Sequence, residues 1–113
     1  MSTTAKRLGI GQITDTTLNS IYTATTGINT RFSKLSITNT GSTGALVSIF
    51  HNANGTDYLL KKLTLPGGAG IERTYYDIQR SIANAGDSIR LQSDTAITFN
   101  YFLHGSEIEV SGS

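Results

Sequence analysis

The feature that most constrains this chain is a two-residue alternation near its C-terminal end. In Ala96-Ile97-Thr98-Phe99-Asn100-Tyr101-Phe102-Leu103-His104, residues Ile97, Phe99, Tyr101 and Leu103 fall on one side, and Thr98, Asn100 and His104 on the other, interrupted only by Phe102. Successive side chains of a strand point to opposite faces, so this spacing predicts a strand with one buried face and fits a helix poorly. The same period places Leu35 and Ile37 opposite Lys34, Ser36 and Thr38 within 31–39, and turns Ile89 and Leu91 inward within 88–93. Further strands are expected over 45–51, 57–65 and 71–76 and within 8–13 and 18–23, with Ile108-Glu109-Val110 extending the last one.

Turn chemistry separates these runs. Thr40-Gly41-Ser42-Thr43-Gly44 is small and polar, Asn54-Gly55 supplies the positive φ angles of a tight hairpin, and Ala85-Gly86-Asp87 and Ser93-Asp94-Thr95 turn the chain again. Pro66-Gly67-Gly68-Ala69-Gly70 is the strongest breaker, because proline removes a donor and the glycines remove packing side chains. Residues 77–84, with Ile78 and Ile82 four apart, read as irregular. Seven or eight short strands without a convincing long helix specify an all-β chain, an antiparallel β-sandwich of jelly-roll or Ig-like type.

Composition agrees. Only 15% of the 113 residues are charged, and 12 Ser and 17 Thr stand where a helical bundle would need Ala, Glu, Lys and Leu. The length suits one domain, expected over 9–110, with 1–8 a flexible N-terminal arm and 111–113 a flexible tail. A net charge of +1 gives no field to draw the chain to nucleic acid or anionic lipid, and no apolar run approaches the ~20 residues of a spanning helix. Zero cysteines exclude disulfides, thiolate metal sites and cysteine nucleophiles.

The supply of acid-base chemistry is thin. His51 and His104 each follow an apolar run without a second histidine at metal-ligand spacing, and the ordinary reading of such a residue is a solvated or hydrogen-bonded side chain. Glu107 and Glu109 share a strand face but lie near a chain end, where acids keep an edge soluble. Gly41-Ser42-Thr43-Gly44 lacks the spacing of a nucleophile elbow, and Gly67-Gly68-Ala69-Gly70 lacks the Lys and following helix of a phosphate loop. No enzyme, metal site or cofactor is expected. The residues expected at an interface are Lys6, Arg7, Lys61, Lys62, Arg73, Tyr75 and Tyr76, as edge-guarding cations and amphipathic rings suited to a partner surface.

The succession Thr17-Leu18, Ile21-Tyr22-Thr23, Leu35-Ser36-Ile37-Thr38-Asn39, Ala85-Gly86-Asp87-Ser88-Ile89-Arg90, Ile97-Thr98-Phe99 and His104-Gly105-Ser106-Glu107-Ile108 resembles small virion proteins of tailed bacteriophages. Ala24-Thr25-Thr26-Gly27 stands where that family usually has a proline. The resemblance implies a compact β-sandwich without catalytic residues, located in the virion, that decorates or cements a head shell or sits in a collar or tail. Its implied partners are the major capsid protein or other virion subunits, and its implied state a homo-oligomer, with a trimer as the expectation. A competing reading is a carbohydrate-binding β-sandwich, with Tyr22, Tyr58, Tyr75 or Tyr76 stacking on sugar rings.

Overall fold

A computed structural model describes residues 2–25, 27–75, 81–82 and 86–109; the side chains of 2–7, 81–82 and 109 lie outside that description. The described residues form nine strands and no helix: β1 (Ser2–Ile13), β2 (Asn19–Thr23), β3 (Ile28–Asn39), β4 (Ala45–Ala53), β5 (Thr56–Leu65), β6 (Ile71–Tyr75), β7 (Ser81–Ile82), β8 (Ser88–Ser93) and β9 (Phe99–Glu109). They form two antiparallel sheets. The longer has the order β1-β9-β3-β6 and the shorter β2-β8-β4-β5. β6 pairs with β3 at Leu35–Asn39 and β7 with β3 at Thr30 and Arg31, so these two strands share one lane and the sandwich has eight lanes.

The order decides between the two architectures the sequence left open. An Ig-like sandwich pairs its first two strands in one sheet. Here β1 and β2 lie in opposite sheets, as do β3 and β4, β5 and β6, and β8 and β9. Among consecutive strands only β4 and β5 form a hairpin, and the eight-lane, two-sheet arrangement is a jelly roll. The hairpin closes on Asn54 (φ 53°) and Gly55 (φ 82°), the two positive angles that an Asn-Gly pair supplies at low cost.

The core lies between the sheets. Leu35, Ile37, Phe99 and Leu103 of the long sheet meet Val47, Ile49, Leu65, Ile89 and Leu91 of the short one, and all nine have no accessible surface. Each such side chain contributes about 1.5–3 kcal/mol by leaving water. Register follows the alternation read from the sequence: Leu35 stands between Leu103 and Tyr75, and Ile49 between Leu91 and Lys61.

Three differences from the sequence reading have identifiable causes. Residues 2–8, expected as an arm, enter β1, where Ser2 to Arg7 pair with Glu109 to His104; their strand comes from β9's ladder rather than from apolar alternation. Phe32 is buried although it is out of phase with Leu35 and Ile37, because Ser33 is an extra residue in β3 opposite the 104–105 step of β9. Leu8 is the matching extra residue in β1. The strand expected from Ala96 begins at Phe99. The expected irregular stretch 77–84 and the tail 111–113 fall largely or wholly outside the described residues.

Gly105 sits between the two bulges. A Cβ there would run into the Arg31 carbonyl oxygen and come within 2.8 Å of Leu8 Cδ1, so the close approach of three strands requires a residue without a side chain.

Candidate functional site

The expected interface residues divide by position. Lys61 and Lys62 lie on β5, the edge of the short sheet, and Arg73 on β6, the edge lane of the long sheet; all three are exposed. β5 and β6 pack beside each other, so these cations share one open side of the sandwich. Lys61 stands opposite Ile49 and Arg73 opposite Ile37, register positions that face inward on central strands; charges there blunt an edge against indiscriminate pairing. Tyr75 is not on that surface. It is 8% exposed and packs in the core beside Leu35, because the alternation that exposes Glu72 turns Tyr75 inward. Lys6 and Arg7 contribute backbone to β1, and Tyr76 lies outside the described residues.

The same side carries exposed apolar surface, of which the sequence singles out Tyr58, as a candidate for sugar stacking, but not Leu59. Leu60 is the extra residue of a β5 bulge, and next to it Tyr58 is 57% and Leu59 52% exposed. A bulge re-aims neighbouring side chains, which is why two consecutive large residues stand in solvent beside an otherwise amphipathic strand. An Asn-Gly hairpin followed by Tyr-Leu-Leu-Lys-Lys was the available signal.

Polar groups inside the sandwich are mostly bound. Tyr22, brought inward opposite Ile89 by a bulge at Ile21, packs edge-on against Phe32 with centroids 5.5 Å apart. Its hydroxyl lies 2.6 Å from Thr30 Oγ1 and donates to Glu107 Oε2 at 2.8 Å. Burial pushes the Tyr22 hydroxyl's pKa upward, and the Glu107 carboxylate adds to the rise while Thr30 opposes it. Glu107, read from sequence as an edge acid, therefore ties β2 of one sheet to β9 of the other. At the far end Asn39, fully buried, donates to the carbonyls of Thr43 and Pro66 and accepts from Gly41 N, which joins the β3–β4 loop to the β5–β6 loop. The sequence signal for this knot was Asn39-Thr40-Gly41, an Asn positioned to bond the backbone two residues on.

The two histidines lie on different sheets, on β4 and β9, and do not converge. His51 Nε2 is buried 3.8 Å from Asp87 Oδ2, beyond hydrogen-bond distance. Arg90 lies 3.7 Å from Asp57, which also accepts from Asn52 Nδ2 at 2.9 Å. Among the described residues no three His, Asp or Glu side chains gather as a metal site.

The outward faces of the sheets differ. On the long sheet Gln12 Nε2 donates to Asn100 Oδ1, and Ser36, Thr74 and Glu72 bond in sequence, so these polar groups are bonded to one another. The short sheet bears a hollow of about 440 Å³ lined by Thr16, Ser48, Gln92, Ser93 and Asp94. Asp94 sits at the exit of β8, where its Oδ1 accepts from Leu46 N and from Thr95 Oγ1. Those bonds, the backbone one first, with Lys62 nearby, hold its carboxyl below the usual carboxylate range.

Sheet order and surface together define a jelly-roll β-sandwich whose distinguishing features are faces and edges rather than a deep pocket. No family model and no curated protein matches the chain. Among solved structures it is similar to a chain of infectious bursal disease virus, Gx strain, at 8% identity and a TM-score of 0.42, covering 99% of this chain and 33% of that one. It is also similar to a chain of the Gt strain of that virus, at 11% identity and a TM-score of 0.35, covering 98% of this chain and 34% of the other. The chain thus spans about a third of the length of those two, and likenesses this distant carry nothing about activity or partners.

Proposed function

We propose that this chain is a non-enzymatic structural protein of a virion, and specifically a decoration or cement subunit that binds the major capsid protein of a phage head. The observation that carries the reading is the pair of sheet orders β1-β9-β3-β6 and β2-β8-β4-β5, the double-sheet jelly roll on which viral capsid domains are built. The same architecture hosts lectins and other activities, so the order alone does not fix a role. The sequence resemblance to small tailed-phage virion proteins supports the choice within that class. The β5–β6 side supports it too, with Tyr58 and Leu59 exposed beside Lys61, Lys62 and Arg73. An aromatic and an aliphatic anchor flanked by cations suit a protein partner.

Repetition supplies the affinity. A subunit that touches several symmetry-related neighbours gains avidity from contacts that are individually weak, and a trimer would multiply it again. The reading of Tyr22, Tyr58, Tyr75 or Tyr76 as a sugar platform is less well supported: Tyr75 is buried, Tyr22 is bound to Thr30 and Glu107, and of these four only Tyr58 is exposed among the described residues.

Quantitative mass spectrometry of purified virions against the major capsid protein tests the proposal. Hundreds of copies are expected for a shell decoration, about a dozen would move the chain to a collar or tail, and absence would overturn the virion reading. Added to undecorated shells, the protein should raise their melting temperature by binding the assembled state, and an unchanged value at saturation would refute a cement role.

A further inference from the structure

We propose that the outward face of the short sheet is a saccharide-binding site, centred on Ser48, Gln92 and Asp94. It is separate from the β5–β6 side and does not depend on where in a virion the chain resides.

Ser48 and Gln92 stand on the adjacent strands β4 and β8, and Thr16 and Asp94 on the turns that follow β1 and β8. Lys62, Ser48 and Gln92 stand in one row across β5, β4 and β8, and their side chains share the outward face because Val47, Ile49, Leu91 and Ser93 take the inward one. Gln92 Nε2 donates to the Thr16 carbonyl at 3.3 Å, which holds the amide at the hollow and leaves Oε1 without a bond to a described residue. Asp94 is held at Oδ1 by Leu46 N (2.9 Å) and Thr95 Oγ1 (3.0 Å). Both bonds fall on one oxygen, so Oδ2 keeps its acceptor capacity, as does the Ser48 hydroxyl, which bonds no other described residue.

The Asp94 carboxylate oxygen, the Gln92 amide oxygen and the Ser48 hydroxyl border an open hollow of about 440 Å³ and offer it acceptors and a donor together. Two adjacent hydroxyls of a pyranose ring can donate to Asp94 Oδ2 and Gln92 Oε1 while a third accepts from Ser48. Phe50, opposite Arg90, lies two residues from Ser48 on the same outward face, ~7 Å along the strand and outside the hollow's lining. An apolar ligand would leave the acids and amides unpaired, and a phosphate would meet the Asp94 carboxylate, so a polyhydroxylated neutral or amino sugar is the class that satisfies the lining. The hollow is open and shallow, and single-site affinity should lie in the millimolar range, made useful by many copies on one particle.

The test is a titration of the full chain, followed by amide chemical shifts, with a panel of monosaccharides, amino sugars and oligosaccharides. The expected result is saturable shifts at Ser48, Gln92 and Asp94. Asp94→Asn, which retains an acceptor for Leu46 N, and Gln92→Ala should each weaken binding ~10-fold, the factor equivalent to ~1.4 kcal/mol. Tyr58→Ala should leave it unchanged, and a single cooperative melting transition in each variant shows that the fold is kept. Absence of shifts across the panel overturns the proposal, as does binding that persists in both groove variants or that follows Tyr58. Copy number in virions is read separately, so the failure of one proposal is distinguishable from the failure of the other.

Discussion

The two sheets do different things with the same polar residue types. The long sheet bonds several of its outward groups to one another, Gln12 to Asn100 and Ser36 to Thr74, and it carries the bulges and the close-packed Gly105 that hold three strands of 11 or 12 residues together. The short sheet anchors Gln92 and Asp94 by one side each and leaves the other side open. A polar group whose hydrogen bonds are internally closed stabilises, whereas one held in place with capacity left over can recognise something else. The contrast separates a scaffold sheet from a presenting sheet.

The sharpest way to break that contrast is to strike the scaffold. Gly105→Ala should destabilise the chain by about 3 kcal/mol, because its methyl would meet the backbone of Arg31 and the strands cannot part without losing ladder bonds. Urea unfolding measures this, and a loss below about 1 kcal/mol would show the long sheet to be more yielding than its packing implies. Next comes the tie between sheets. Tyr22→Phe keeps the edge-on ring contact with Phe32 but leaves Thr30 and Glu107 without the hydroxyl, for an expected loss of about 1–2 kcal/mol.

Legibility from sequence follows the same division. The core positions of central strands were readable because period-two burial leaves its mark directly, as at Ile89, Leu91, Phe99 and Leu103. The Asn54-Gly55 hairpin was readable because its backbone demands those residues. What could not be read depends on partners distant in the chain. Phe32 looks out of phase until the Ser33 bulge against β9 is known, and Ser2 to Arg7 form a strand only because β9 runs beside them. Tyr75 is buried by its place opposite Leu35, and the hollow joins Thr16, Ser48 and Gln92 from three separate segments.

The presenting sheet should respond weakly where the scaffold responds strongly. Ser48→Ala and Gln92→Ala should change stability by no more than ~0.5 kcal/mol, since their side chains close no buried network. Thermal unfolding checks this, and a loss comparable with that of Tyr22→Phe would place these residues with the scaffold instead.

The smallest expected effect is on pH dependence, and it distinguishes the surface carboxylates from the buried phenol by sign. Asp94, through Leu46 N and Thr95, and Asp15, through the Thr17 hydroxyl and then Asn19, are held below the ordinary value of 3.8. A carboxyl with a lowered folded pKa binds its proton less readily folded than unfolded, so its contribution is complete above 3.8 and fades as pH falls through the folded value. Tyr22 is raised above 10.0, so its contribution is complete below that pH and fades as pH climbs through the folded value. Stability measured by denaturant titration should therefore fall at both extremes. Asp94→Asn should flatten only the acid limb, and Tyr22→Phe only the alkaline one. An Asp94→Asn variant whose acid limb matched that of the parent chain would mean that the carboxylate is not held by Leu46 N in solution, and the fixed geometry assigned to the presenting sheet would fall with it.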